Sequence, residues 1–88
     1  MPVVSHFYGI IITMYFNENT SHNLPHLHAN YSEFDAIFDF NGNILDGKMP
    51  IKQIKIIEAW INIHKDELES LWKVMRDQNE FFKIDPLK

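Results

Sequence analysis

The chain has 88 residues, 45% of them hydrophobic and 23% charged, with a formal net charge of −4 and no cysteine. That length fits one domain, residues 1–88, and the missing cysteine excludes disulfides and thiolate metal sites. The charge argues against a protein that coats nucleic acid, no apolar run reaches the roughly 18–20 residues of a membrane span, and no basic-then-apolar leader opens the chain, so a cytoplasmic protein is expected.

Val3 to Tyr8 reads as a short strand interrupted at Gly9, which marks a bulge or tight bend. Ile10 to Phe16 follows, β-branched and aromatic, and reads as a second strand. Asn17 to Pro25 is polar and reads as a loop. His26-Leu27-His28-Ala29-Asn30-Tyr31 then alternates, so that His26, His28 and Asn30 share one face and Leu27, Ala29 and Tyr31 the other. Phe34 to Phe40 alternates as well, with Phe34, Ala36, Phe38 and Phe40 together. Ser32-Glu33 is expected to be a two-residue connection. Asn41-Gly42 predicts a type I′ turn, and Asn43-Ile44-Leu45 a short returning strand ended by Asp46-Gly47.

The period changes after Met49. Pro50 suits a first helical turn, Ile51, Ile54, Ile57 and Ile61 follow one stripe, and Ile56, Trp60 and Ile63 a second beside it. So wide an apolar surface predicts a helix buried on more than one side, with Lys52, Gln53, Lys55, Glu58 and Asn62 exposed. A second helix is expected near His64-Lys65-Asp66-Glu67, either separate or continuous with the first. Leu68, Leu71, Trp72 and Met75 form its apolar stripe. Phe81, Phe82, Ile84 and Leu87 are expected to fold back as an apolar tail. The sum is an α+β fold: an antiparallel sheet of four to five strands over about 3–46, two C-terminal helices over about 50–77, and a tail over 78–88.

Three of the five histidines fall in His22-Asn23-Leu24-Pro25-His26-Leu27-His28. On a strand, His26 and His28 have Cα atoms roughly 6.5–7 Å apart on one face, a geometry that lets two imidazoles converge on one ion. His22 is the candidate third ligand, and a divalent metal such as zinc or nickel suits the set. A two-residue turn at Ser32-Glu33 pairs His28 with Ile37 and His26 with Asp39, making Asp39 the candidate to orient His26. The metal-free reading makes His26 and His28 a general base and acid, with Lys52 and Lys55 holding a phosphate, as in a small ribonuclease. The plain alternative is a polar sheet face whose histidines are structural, in a non-enzymatic interaction or regulatory domain. His6 and His64 stand alone and are expected to be structural or solvent-facing. The acidic start of the second helix argues against a DNA-recognition helix.

Met1-Pro2, Phe7-Tyr8-Gly9-Ile10, Met14-Tyr15-Phe16, the His22-Asn23-x-Pro25-His26-x-His28 run and Trp60…His64-x-Asp66-Glu67-Leu68 together resemble a bacterial family, domain of unknown function 4160 (DUF4160). The resemblance covers nearly the whole chain and is most specific in the histidine run. Leu24 departs from it, standing where a second proline is common. The resemblance implies a small cytosolic protein encoded beside another small domain, the one numbered 2442, in an arrangement like that of toxin–antitoxin modules. The implied partner is therefore a small protein encoded nearby.

Overall fold

The computed structural model describes residues 3–15 and 24–88. Five strands form one sheet in the order in which they occur: β1 (Val3–Phe7), β2 (Ile10–Thr13), β3 (His26–Tyr31), β4 (Phe34–Asp39) and β5 (Ile44–Gly47). Every neighbouring pair is antiparallel. Two helices follow, α1 (Ile51–Ile63) and α2 (Lys65–Gln78). The α+β architecture expected from the sequence is the one observed.

The turns explain the order. Tyr8 and Gly9 both take positive φ, 50° and 77°, which gives a two-residue link with the twist an antiparallel pair needs. Ser32-Glu33 is also a two-residue link, and Ser32 takes φ 54° to make it. It sets the register Tyr31↔Phe34, Asn30↔Asp35, His28↔Ile37 and His26↔Asp39. The last hairpin differs from the type I′ turn read from Asn41-Gly42. Only Gly42 has positive φ there, and the Gly42 N–H donates to the Asp39 carbonyl at 3.2 Å while the Asp39 N–H donates to the Asn43 carbonyl at 2.9 Å. This is a three-residue loop, Phe40 to Gly42, with glycine in the left-handed position. The longer loop lets Phe40, 6% exposed, remain in the core.

β5 ends on Gly47 at φ 87°. A Cβ there would lie 2.9 Å from the Ala36 Cα and closer still to the Asp35 carbonyl oxygen, both backbone atoms that cannot move aside. Gly47→Ala is therefore expected to destabilise the protein by about 2 kcal/mol or more, through left-handed strain plus the clash. Urea denaturation measures it, and a midpoint unchanged from wild type would refute the tight approach.

One face of the sheet makes the core. Ile10, Ile12, Leu27, Ala29, Ala36 and Phe38 are all buried and alternate along their strands. The helices cover this face with Ile57, Trp60 and Ile61 from α1 and Leu68, Leu71 and Trp72 from α2. Helix α1 corrects the sequence reading. Gln53 is buried, whereas Ile51 and Ile63 are exposed. The burying stripe is Gln53, Ile57, Trp60 and Ile61, rotated from the isoleucine ladder, because the sheet covers one side only.

The two helices are separate. His64, at φ −109° and ψ 22°, breaks the path between them; its N–H donates to the Trp60 carbonyl and its carbonyl accepts from the Leu68 N–H. Asp66 and Glu67 lie in the first turn of α2, where the helix dipole favours acids, and Asn79 closes the helix in the left-handed region. Past it, the tail docks through Ile84, whose N–H donates to the Val4 carbonyl at 3.0 Å, and through the Asp85 carbonyl, which accepts from Trp60 Nε1 at 2.8 Å. Phe81 and Phe82 stay exposed, so the fold-back expected of the whole tail falls to Ile84 and, in part, Leu87.

Candidate functional site

Pro25 holds the entry to β3, and His26 opens that strand. His26 Nδ1 lies 2.8 Å from the Leu24 carbonyl. A carbonyl oxygen only accepts, so Nδ1 carries the proton and the neutral ring has its lone pair on Nε2. A histidine held in this way is fixed in orientation, with its other nitrogen turned away from the carbonyl. By alternation His26 belongs to the face opposite the core, yet it is only 2% exposed. Its ring centroid lies 5.4 Å from that of Trp72 on α2, which also meets Phe40 edge-on at 6.2 Å.

His28 stands two residues on, its ring 5.6 Å from that of His26 and 5.0 Å from that of Tyr15 in a T-shaped contact. It is half-buried and opens onto the uncovered face of the sheet. Cross-strand pairing lays a complete row over that face: Val3↔Thr13, Thr13↔His28, His28↔Ile37 and Ile37↔Asp46. His28 is thus at the centre of five strands. The next row runs His6↔Ile11, Ile11↔Asn30 and Asn30↔Asp35, with the Asn30 amide donating to the Asp35 carboxylate. Between and over these rows is a groove of ≈ 550 Å³.

Asp39 is the cross-strand neighbour of His26, as the two-residue turn requires. Its carboxylate, however, serves the next hairpin. Oδ1 accepts from the backbone N–H groups of Asn41 at 2.8 Å and Asn43 at 2.9 Å, and Oδ2 accepts from Asn43 Nδ2 at 3.2 Å. Burial pushes the Asp39 pKa up, but these bonds, led by the Asn43 and Asn41 amides, outweigh it and hold the carboxyl below its ordinary value. A carboxyl whose pKa falls on folding adds stability above its unfolded pKa of about 3.9, and that stability is lost as pH falls through the folded value. Asp39→Ala is expected to cost about 1 kcal/mol at pH 7, because the site is only half-buried and water partly replaces the lost acceptor. The gap between variant and wild type in urea should narrow below pH 4; a gap that is constant with pH would contradict the assignment.

The other candidates fall elsewhere. His22 lies outside the described residues. His6 is exposed at the outer end of its row. His64 sits at the helix junction, its Nδ1 2.5 Å from Glu67 Oε1 and its ring 5.5 Å from that of Trp60. Lys52 and Lys55 are exposed on α1, in the layer covering the opposite face of the sheet from the groove, so they do not join His28 there. Among the described residues no three histidines or carboxylates converge as a metal-ligand set. Two partners of the histidines were missed in the sequence, Tyr15 and Trp72. Parity along β2 places Tyr15 with Ile11 and Thr13, and the β2–β3 register, with Thr13 opposite His28, brings it to the histidine.

A five-stranded meander backed by two helices, with one oriented imidazole beside a second at the mouth of an open groove, defines a small α+β protein organised around β3. The chain belongs to the DUF4160 family, described as a domain of unknown function, whose profile matches residues 9–73. The match takes in β2 to β5 with the histidine pair, α1 and most of α2, and leaves β1 outside. No curated protein and no solved structure matches the chain. No helix among the described residues is long and apolar enough to cross a membrane.

Proposed function

We propose that the chain binds one divalent transition-metal ion, zinc or nickel, through His26 and His28, and acts as one component of a two-protein module of the toxin–antitoxin kind. The observation that carries the metal half is the fixed tautomer of His26 beside His28. The bond from Nδ1 to the Leu24 carbonyl turns the His26 lone pair to Nε2, the form a metal-ligating histidine takes. Two imidazoles on one ion, with metal–nitrogen bonds of about 2.0–2.1 Å and near-tetrahedral angles, have ring centroids about 5–5.5 Å apart. The 5.6 Å observed is close to that separation. His22 is the proposed third ligand, which leaves a fourth position for water or substrate. The Asp39 carboxylate is engaged by the Asn41–Asn43 hairpin, and this favours the metal reading over an acid–base pair supported by Asp39. The module half is supported by the uncovered sheet face, which has room for a second protein layer.

The test is elemental analysis of protein purified without a histidine tag. About one zinc or nickel per chain is expected, with Tm rising when metal is added, as it must for a ligand that binds only the folded state. Metal-free protein with an unmoved Tm would end the metal half.

A further inference from the structure

Among the described residues, helices cover the sheet on one face only. The helices seal the face bearing Phe38 and Leu27, while the row Val3–Thr13–His28–Ile37–Asp46 crosses the other. We propose that this open face docks a basic amphipathic helix from a partner protein, laid over the groove with His28 beneath it. The proposal rests on the two-protein reading above and is independent of the metal.

Size comes first. Five strands at about 4.8 Å spacing make a platform roughly 20 Å wide, and a helix with its side chains is about 10–12 Å across. One helix therefore covers both rows and fills a groove of ≈ 550 Å³. A sheet that gains a helix layer on its second face also reaches a common stable architecture.

Chemistry comes second. The floor is apolar, with Ile11 and Ile37 half-buried and Val3 38% exposed, so it suits an apolar stripe. The described residues lining the groove include Asp35 and Asp46 and no lysine or arginine, on a chain of net charge −4. A second copy of the chain would set these carboxylates against their own kind, and like charges brought together at an interface are penalised. An incoming helix with lysine or arginine flanking its apolar stripe meets them with opposite charge. The occupant is therefore a partner's cationic helix rather than this chain again.

The probe is a synthetic helical peptide of roughly five turns with a leucine stripe flanked by lysines, and its twin with glutamate at every lysine. Calorimetry on the full chain should give one saturable site for the lysine peptide and at least about tenfold weaker binding for the glutamate twin. Amide shifts should concentrate on β2, β3 and β4 around Thr13, His28 and Ile37. Ile37→Lys and, separately, Asp35→Lys should each weaken binding at least about tenfold, while Asp66→Asn on α2 leaves it unchanged. A dispersed amide spectrum for each variant shows that it folds. Equal binding of the two peptides, or shifts centred on α2, would overturn this docking site but not the two-protein reading. Absence of binding to any face would count against both. A concentration-dependent dimer abolished by Ile37→Lys would assign the face to a second copy and overturn the proposal.

Discussion

Replacing Trp60 with alanine is expected to cost about 3–5 kcal/mol, the range for a large aromatic removed from a core. A chain of this size is stable by only about 4–13 kcal/mol, so the variant should be largely unfolded at modest urea. Trp60 is fully buried at the middle of the structure. Its ring meets Phe7 of β1 at 5.3 Å and His64 at the helix junction at 5.5 Å. Its Nε1 donates to the Asp85 carbonyl, which holds the tail. One side chain thus joins the sheet, the helix break and the C-terminal segment. Trp60→Phe separates these roles. It keeps most of the aromatic bulk, removes the indole donor, and should cost about 1–2 kcal/mol. The Ile84 amide, bonded to Val4 beside the lost contact, should exchange with solvent faster in that variant. Urea midpoints and amide exchange check both statements. A loss below 1 kcal/mol for Trp60→Ala would contradict the central placing of this residue.

His28→Ala should abolish metal-induced stabilisation while leaving the fold nearly intact. The residue is half-exposed on the open face, and its removal leaves no large cavity in the core. Zinc affinity should fall by about 100-fold or more, since even groups that only orient a ligand are worth 10–100-fold. His26→Ala should lose the same affinity and also some stability without metal, because His26 is buried against Trp72 and holds the Leu24 carbonyl. The difference between the two variants is the informative quantity. Equal stability losses, with zinc still raising Tm in both, would assign the pair a structural task. Titrating zinc while following Tm, in protein without a tag, measures both variants under one condition.

The sheet was legible where the chain carries its own geometry. Ser32-Glu33 counts out the β3–β4 register, and strict alternation in β3 and β4 assigns their faces. Glycine at 42 marked the last hairpin, but its type depends on the Asp39 carboxylate and buried Phe40, both outside the dipeptide. Helix α1 was misread in rotation. Isoleucine at 51, 54, 56, 57, 61 and 63 covers too much of the circumference to say which arc meets the sheet, and Gln53 is carried inside by its neighbours.

The site was legible only as a face. Alternation put His26 with His28, as β3 places them, but burial of His26 depends on Trp72, far along the chain, and on Phe40 beside it. The His26 tautomer depends on the Leu24 carbonyl, whose direction Pro25 suggests without specifying. Alternation separates the two faces of β3 and β4, but it does not say that the face opposite the phenylalanines is left open by the helices. Ile11 and Val3 lie in apolar runs that do not mark which face is buried, and only the placing of both helices on the other side shows that they and Ile37 line the groove.

The most direct measurement is the two-bond proton–nitrogen NMR spectrum of the histidine rings, recorded before and after one equivalent of zinc. His26 is expected to be protonated on Nδ1 in the metal-free protein, and the Nε2 resonance of His26 and a ring nitrogen of His28 to shift together and saturate at one ion per chain. A His26 ring protonated on Nε2, or ring nitrogens unmoved by zinc, would contradict this expectation.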